Sequence, residues 1–187
     1  MAADLKAVIK KVAAEARTAE HRPEETAQLV VFELDGEEYA VEITEVREII
    51  KPPEITPVPG APEFIRGIFN LRGKIVVVID MEKRFRLVRE HPAESRHVII
   101  SLVGETHFGV MVDQVTEVVR IPARSIKPPP PLVSSKIRLE YLKGVAVLSE
   151  SEDRPRLLIL LDLPKMLQEK ELLGVSEAVR EAVKSLE

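Results

Sequence analysis

A chain of 187 residues that is 45% apolar and 31% charged can bury a core and has the balance of a globular protein rather than a disordered one. Its net charge of −4 supplies no general basic field for nucleic acid, and the absence of cysteine excludes disulfides, thiol catalysis and cysteine-ligated zinc. No apolar run approaches a membrane span of about 18 residues, and charges run through the first turns where a secretory signal needs an apolar stretch, so a cytoplasmic protein is expected.

In chain order, Asp4 is placed to cap a first helix, with Leu5, Val8, Ile9, Val12 and Ala16 at helical spacing. This helical extension covers residues 1–28 and runs into the polar break HRPEE at 21–25. The period then changes. LVVFEL and EEYAVEI (29–43) are β-branched runs around Asp35-Gly36, a pair that two-residue hairpins favour. In ITEVREIIK (43–51), Val46, Ile49 and Ile50 have the spacing of a short helical turn, which would carry Glu48. The prolines of PPEITPVPGAP (52–62) lack the N–H that a helix or a central strand requires. FIRGIFN reads as a strand, LRGK as a turn with Gly73 suited to positive φ, and KIVVVID as a second strand. Asp80 is then placed to cap the short helix MEKRF. Later, 163–173 and 176–187 read as helices, the second with Ser176 as N-cap; a C-terminal helix is thus expected within 174–187.

An internal repeat underlies this order. Residues 97–131 retrace 29–59 with one extra residue, setting Gly36 on Gly104 and Val46 on Val115. Residues 141–167 retrace 64–85, setting Gly67 on Gly144 and Asp80 on Asp162. The halves, about 29–95 and 96–165, each offer four or five short strands, a helical turn and a proline-rich crossover. Short strands at this spacing argue for an all-β fold with peripheral helices: two small barrels in tandem, burying apolar faces against each other.

The candidate chemistry thins out quickly. GIFNLRGKI (67–75) mimics a phosphate loop, but five residues separate its glycines, Ile75 replaces the magnesium-binding hydroxyl, and a strand follows instead of a helix. His21, His91, His97 and His107 have no metal-ligand spacing, and a strand-face position explains His107. Asp80 and Asp162 read as two independent helix caps rather than a catalytic pair. Ser134-Ser135 has no nucleophile-elbow glycines. The seven aromatics, five Phe and two Tyr, fall mostly in strand or helix patterns and suggest core rather than base stacking. The expectation is a non-enzyme without cofactor or metal, with no nucleic-acid partner and no direct insertion into a membrane. Protein recognition remains. A turn would hold Arg72 as a planar fork for a carboxylate, with Glu48 the candidate within the same half. The competing reading leaves Arg72 in solvent and any contact worth ~0–1 kcal/mol.

Residues 37–85 closely resemble the CheW family of chemosensory adaptors. The resemblance rests on V-x-E-I (46–49), I-T-x-V-P (55–59), A-P-x-F-I-x-G (61–67), N-L-R-G (70–73) and V-x-x-I-D (76–80). V-D-x-V (112–115), I-K-P-x-P (126–130) and Y-L-x-G (141–144) extend it through the second half, to about residues 29–173. It implies two five-stranded SH3-like barrels and a non-catalytic adaptor that couples methyl-accepting chemoreceptors to the histidine kinase CheA. The receptor-binding surface it implies falls on Val46, Glu48, Gly67, Arg72, Gly73 and Val98, with Glu48 and Arg72 paired. The kinase-binding positions it implies are Ile55, Lys127 and Leu132, the last where an aromatic is usual. The implied partners are the regulatory domain of CheA and the cytoplasmic signalling tip of the receptors, so the protein would be cytoplasmic and recruited to membrane receptor arrays. The alternative is a CheW-like scaffold of a motility or gene-regulatory pathway. The extension at 1–28 departs from a minimal adaptor, and the chain carries neither a receiver domain nor a kinase ATP-binding sequence.

Overall fold

The computed structural model describes residues 25–90, 92–93, 95–130, 137–149, 155–167 and 170–184. The expected N-terminal helix, Leu132, Ser134-Ser135, His21 and His91 lie outside these residues.

Among the described residues ten strands form, five from each half of the repeat. The first half gives β1 (Thr26–Leu34), β2 (Glu37–Glu42), β3 (Glu48–Ile50), β4 (Ile65–Leu71) and β5 (Lys74–Asp80). The second gives β6 (His97–Val103), β7 (Thr106–Val112), β8 (Gln114–Pro122), β9 (Leu142–Ser149) and β10 (Pro155–Leu161). The helices are α1 (Met81–Phe85), α2 (Leu163–Leu167) and α3 (Lys170–Lys184).

Turn chemistry explains the hairpins. Asp35 and Gly36 both take positive φ, 51° and 79°, the geometry that matches the twist of paired strands. In the second half the loop is Gly104-Glu105, between the paired residues Val103 and Thr106, with only Gly104 at positive φ. Gly104 therefore stands where the first half has Asp35, not Gly36, and the repeat needs no extra residue there. The two hairpins reach the same two-residue length through different turn types.

Strand order does not follow the halves. One sheet runs β8-β1-β2-β10-β9 and the other β3-β6-β7-β5-β4. The second barrel is thus contiguous in sequence from β3 to β7, while the first is assembled from the two ends of the chain. The expectation of one barrel per half, in tandem, is corrected: each half contributes to both. The linking pairs β2–β10 and β5–β7 are parallel, and parallel partners need long crossovers that no local signal marks. Each sheet curls until the segment after its first edge meets the other edge, through the bridges Thr56–Ile68 and Lys127–Val145.

The core has three parts. Val76, Val78, Val98 and Ile100 fill the contiguous barrel, and Leu29, Val31, Leu158 and Leu160 fill the other. The largest cluster joins the barrels, setting Phe32, Leu34 and Tyr39 with Ile79, Phe108 and Val110. Each barrel alone encloses few side chains, so the shared face, at about 1.5–3 kcal/mol for each large apolar side chain buried, holds them together.

Asp80 caps α1: its Oδ1 accepts from the Glu82 and Lys83 amides at 3.1 and 3.3 Å. Asp162 Oδ1 accepts from the Lys165 amide at 2.9 Å, so the two carboxylates are separate caps. Other expectations are revised. Residues 26–28 already belong to β1. Ile43–Glu45 is one 3-10 turn, and Glu48, Ile49 and Ile50 form β3 instead of a helical turn, because they pair with Ile100, Ile99 and Val98. Ser176 is not an N-cap: α3 runs through it, and its buried hydroxyl donates to Thr106 Oγ1 at 3.0 Å. Apolar docking of Leu172 and Val179 carries the helix past Gly174, overriding its weak propensity.

Candidate protein-interaction site

The turn between β4 and β5 consists of Arg72 and Gly73, with φ of 51° and 83°. Both central residues at positive φ define the turn for which Asn-Gly is the preferred pair. Asn70 supports it by accepting the Gly73 amide on Oδ1 at 2.7 Å. Arginine in this left-handed region costs roughly 1–2 kcal/mol.

The opposite partner is Glu48, on the edge strand β3, which is fixed by its ladder to β6 and by the Arg47 amide donating to the Ile100 carbonyl at 2.7 Å. Arg72 meets it as a fork: Nη1 donates to Oε2 at 3.1 Å and Nη2 to Oε1 at 3.0 Å. The sequence left that contact open, and the geometry makes it. The Arg72 side chain remains 77% exposed and that of Glu48 30%, so screening limits the pair to well under about 1 kcal/mol. The contact does not offset the backbone cost of placing arginine there. Nothing in the fold demands Arg72, and the second half has V-L-S-E (147–150) in place of N-L-R-G.

Beside the fork lies a groove of about 410 Å³. Leu71, Ile100 and Leu102 give it apolar walls, and Arg47, Arg72 and Lys74 set three cations around Glu48. His107 also lines it, its pKa pushed below the usual histidine value by burial first and then by Lys74, Arg180 and Arg47.

The expected receptor-facing residues separate into two groups. Glu48, Arg72 and Gly73 converge at the turn, and Val46 is half-buried against the shared core two residues before Glu48. Gly67 and Val98 are buried. Val98 fills the contiguous barrel, and Gly67 faces the proline-rich segment after β3, where a Cβ would lie 2.3 Å from the Thr56 carbonyl oxygen. Gly144 has the same place in the other barrel, 2.8 Å from the Lys127 carbonyl. Ile55 is half-buried and Lys127 exposed, each next to or within the bridge that closes its barrel. Sequence reasoning missed Arg47, Lys74 and the groove role of His107. Their meeting depends on the β3–β6 and β5–β7 pairings, which only the folded topology supplies.

A strained turn that holds a guanidinium outward, above a groove with mixed charge and apolar walls, has the physics of a binding module. Comparison with known proteins specifies which kind. A sequence model of the CheW-like domain matches residues 28–171. The chain is 35% identical over 154 residues to Chemotaxis protein CheW of Treponema pallidum, covering 80% of this chain and 86% of that protein. It is 33% identical over 153 residues to Chemotaxis protein CheW of Klebsiella aerogenes, covering 82% and 89%. The crystal structure of scaffolding protein TtCheW from Thermoanaerobacter tengcongensis matches with a TM-score of 0.68 at 34% identity, over 81% of this chain and 94% of that one. The chain belongs to the CheW-like family and is a chemotaxis adaptor. Among the described residues, no helix is long and apolar enough to cross a membrane.

Proposed function

We propose that this adaptor couples the cytoplasmic signalling tip of chemoreceptors to the histidine kinase CheA, acting at membrane receptor arrays and catalysing no reaction itself. The observation that carries the reading is the Arg72–Glu48 fork: an exposed bidentate pair on a turn whose backbone cost the fold has no use for. Glu48, Arg72, Gly73 and Val46 form the receptor-facing surface, and buried Gly67 and Val98 contribute through the packing of the contiguous barrel that carries it.

The kinase contacts are assigned to Ile55 beside the bridge that closes one barrel and to Lys127 within the bridge that closes the other, with Leu132 as the third position that the family resemblance implies. Related positions on two barrels give one adaptor two kinase-facing ends, enough to link kinases into rings. Modest interfaces, under roughly 1,200 Å² each, suit an assembly held by multivalency. The test is co-purification of this chain with CheA and a receptor signalling domain from a defined mixture. Retention of all three as one assembly supports the reading, and a chain that elutes apart from both partners overturns it.

A further inference from the structure

We infer that the groove beside the fork receives a carboxylate of the bound partner, carried among apolar side chains, with Arg47 and Lys74 as its counter-charges. This rests on the receptor-coupling reading and specifies the chemistry of the surface bound there.

Arg47 directly precedes β3, next to Glu48, and Lys74 opens β5 just after the turn that carries Arg72, so the two flank the fork along the chain. Both are exposed, and among the described residues neither has an ion-pair partner. The groove's one carboxylate, Glu48, has both oxygens engaged by Arg72. The lining therefore keeps an excess of positive charge on a protein whose net charge is −4.

The walls decide what kind of anion fits. Leu71, Ile100 and Leu102 offer apolar contact but no further donors, which suits a carboxylate set in an apolar protein surface. A hydrated phosphate polymer would call for cations spaced along a track, against the repulsion of an acidic chain. Burial keeps His107 toward its neutral form, so Arg47 and Lys74 supply the free charge.

The test compares Arg47→Glu, Lys74→Glu and, as a distant control on β8, Arg120→Glu. Each full-length variant is titrated with a purified receptor cytoplasmic signalling domain at low and high salt. All three positions are exposed, and melting curves matching the wild type confirm folding. Each groove reversal is expected to weaken binding about 3–10-fold at low salt, with the difference shrinking as salt screens it, and the control to bind normally. Normal binding by both groove reversals while the wild type binds overturns the inference and leaves receptor coupling intact. Reversals that bind the receptor domain normally but lose retention on anionic lipid vesicles would reassign the groove to a membrane surface, which also overturns it. A wild type that does not bind the receptor domain overturns the coupling reading and this inference with it.

Discussion

Gly67 stands so close to Thr56 that an added Cβ would meet the Thr56 carbonyl oxygen at 2.3 Å, a contact no backbone tolerates. The approach exists because Thr56 and Ile68 exchange two backbone hydrogen bonds of 2.8 Å that close the contiguous barrel. The φ of Gly67, 145°, adds a second objection to any side chain. Gly67→Ala is predicted to destabilise the protein by at least about 2 kcal/mol in urea denaturation. Lost coupling in that variant would then report a disturbed barrel. A Gly67→Ala chain of full stability that fails to bind receptor would return Gly67 to the contact surface.

Arg72 invites the opposite experiment. Asparagine accepts the left-handed conformation more readily, and Arg72→Asn gives the turn its preferred Asn-Gly pair. The exposed ion pair that is lost is worth little. Stability should therefore hold or rise by up to about 1 kcal/mol, while receptor coupling weakens. Destabilisation beyond about 1.5 kcal/mol in thermal melts would mean that the fork is structural.

His107 supplies a pH signature. Burial, then Lys74 of β5, Arg180 of α3 and Arg47 before β3, disfavour its charged form, so its folded midpoint lies below the ordinary value of 6.5. The unfolded chain then binds the proton more readily than the folded one. This contribution to stability is present above pH 6.5 and is lost as the pH falls from there through the folded midpoint. An NMR titration of His107 should show the depressed midpoint, and Arg180→Ala should raise it. A midpoint at or above 6.5 would contradict the placement of His107 among these cations.

Much of the fold was legible because its signals are local. Asp35-Gly36 announced a hairpin, Asp80 a cap, and the prolines at 52–62 a crossover, each through the backbone preference of one or two residues. The interlacing was not legible, because β2–β10 and β5–β7 join strands far apart whose apolar faces would suit several neighbours. For β3 the sequence misled: three apolar residues near Glu48 satisfy helical spacing, and only pairing with β6 decides for a strand. Ser176 has the type of an N-cap but lies inside a helix, because docking of α3 outweighed the local cue. The site divided the same way. Arg72, Gly73 and Glu48 could be read from motif and turn chemistry, whereas Arg47 and Lys74 carry no motif and matter only by where the strands bring them.

The most direct test is receptor-dependent stimulation of CheA in a reconstituted mixture of receptor domain, kinase and this chain, comparing wild type with Arg72→Ala. A double-mutant cycle with Glu48→Ala separates the pair from its parts. A folded Arg72→Ala chain is predicted to lose most of the stimulation, with the two substitutions together costing less than the sum of their separate effects. Undiminished stimulation and ternary assembly by Arg72→Ala would contradict the role assigned to the fork.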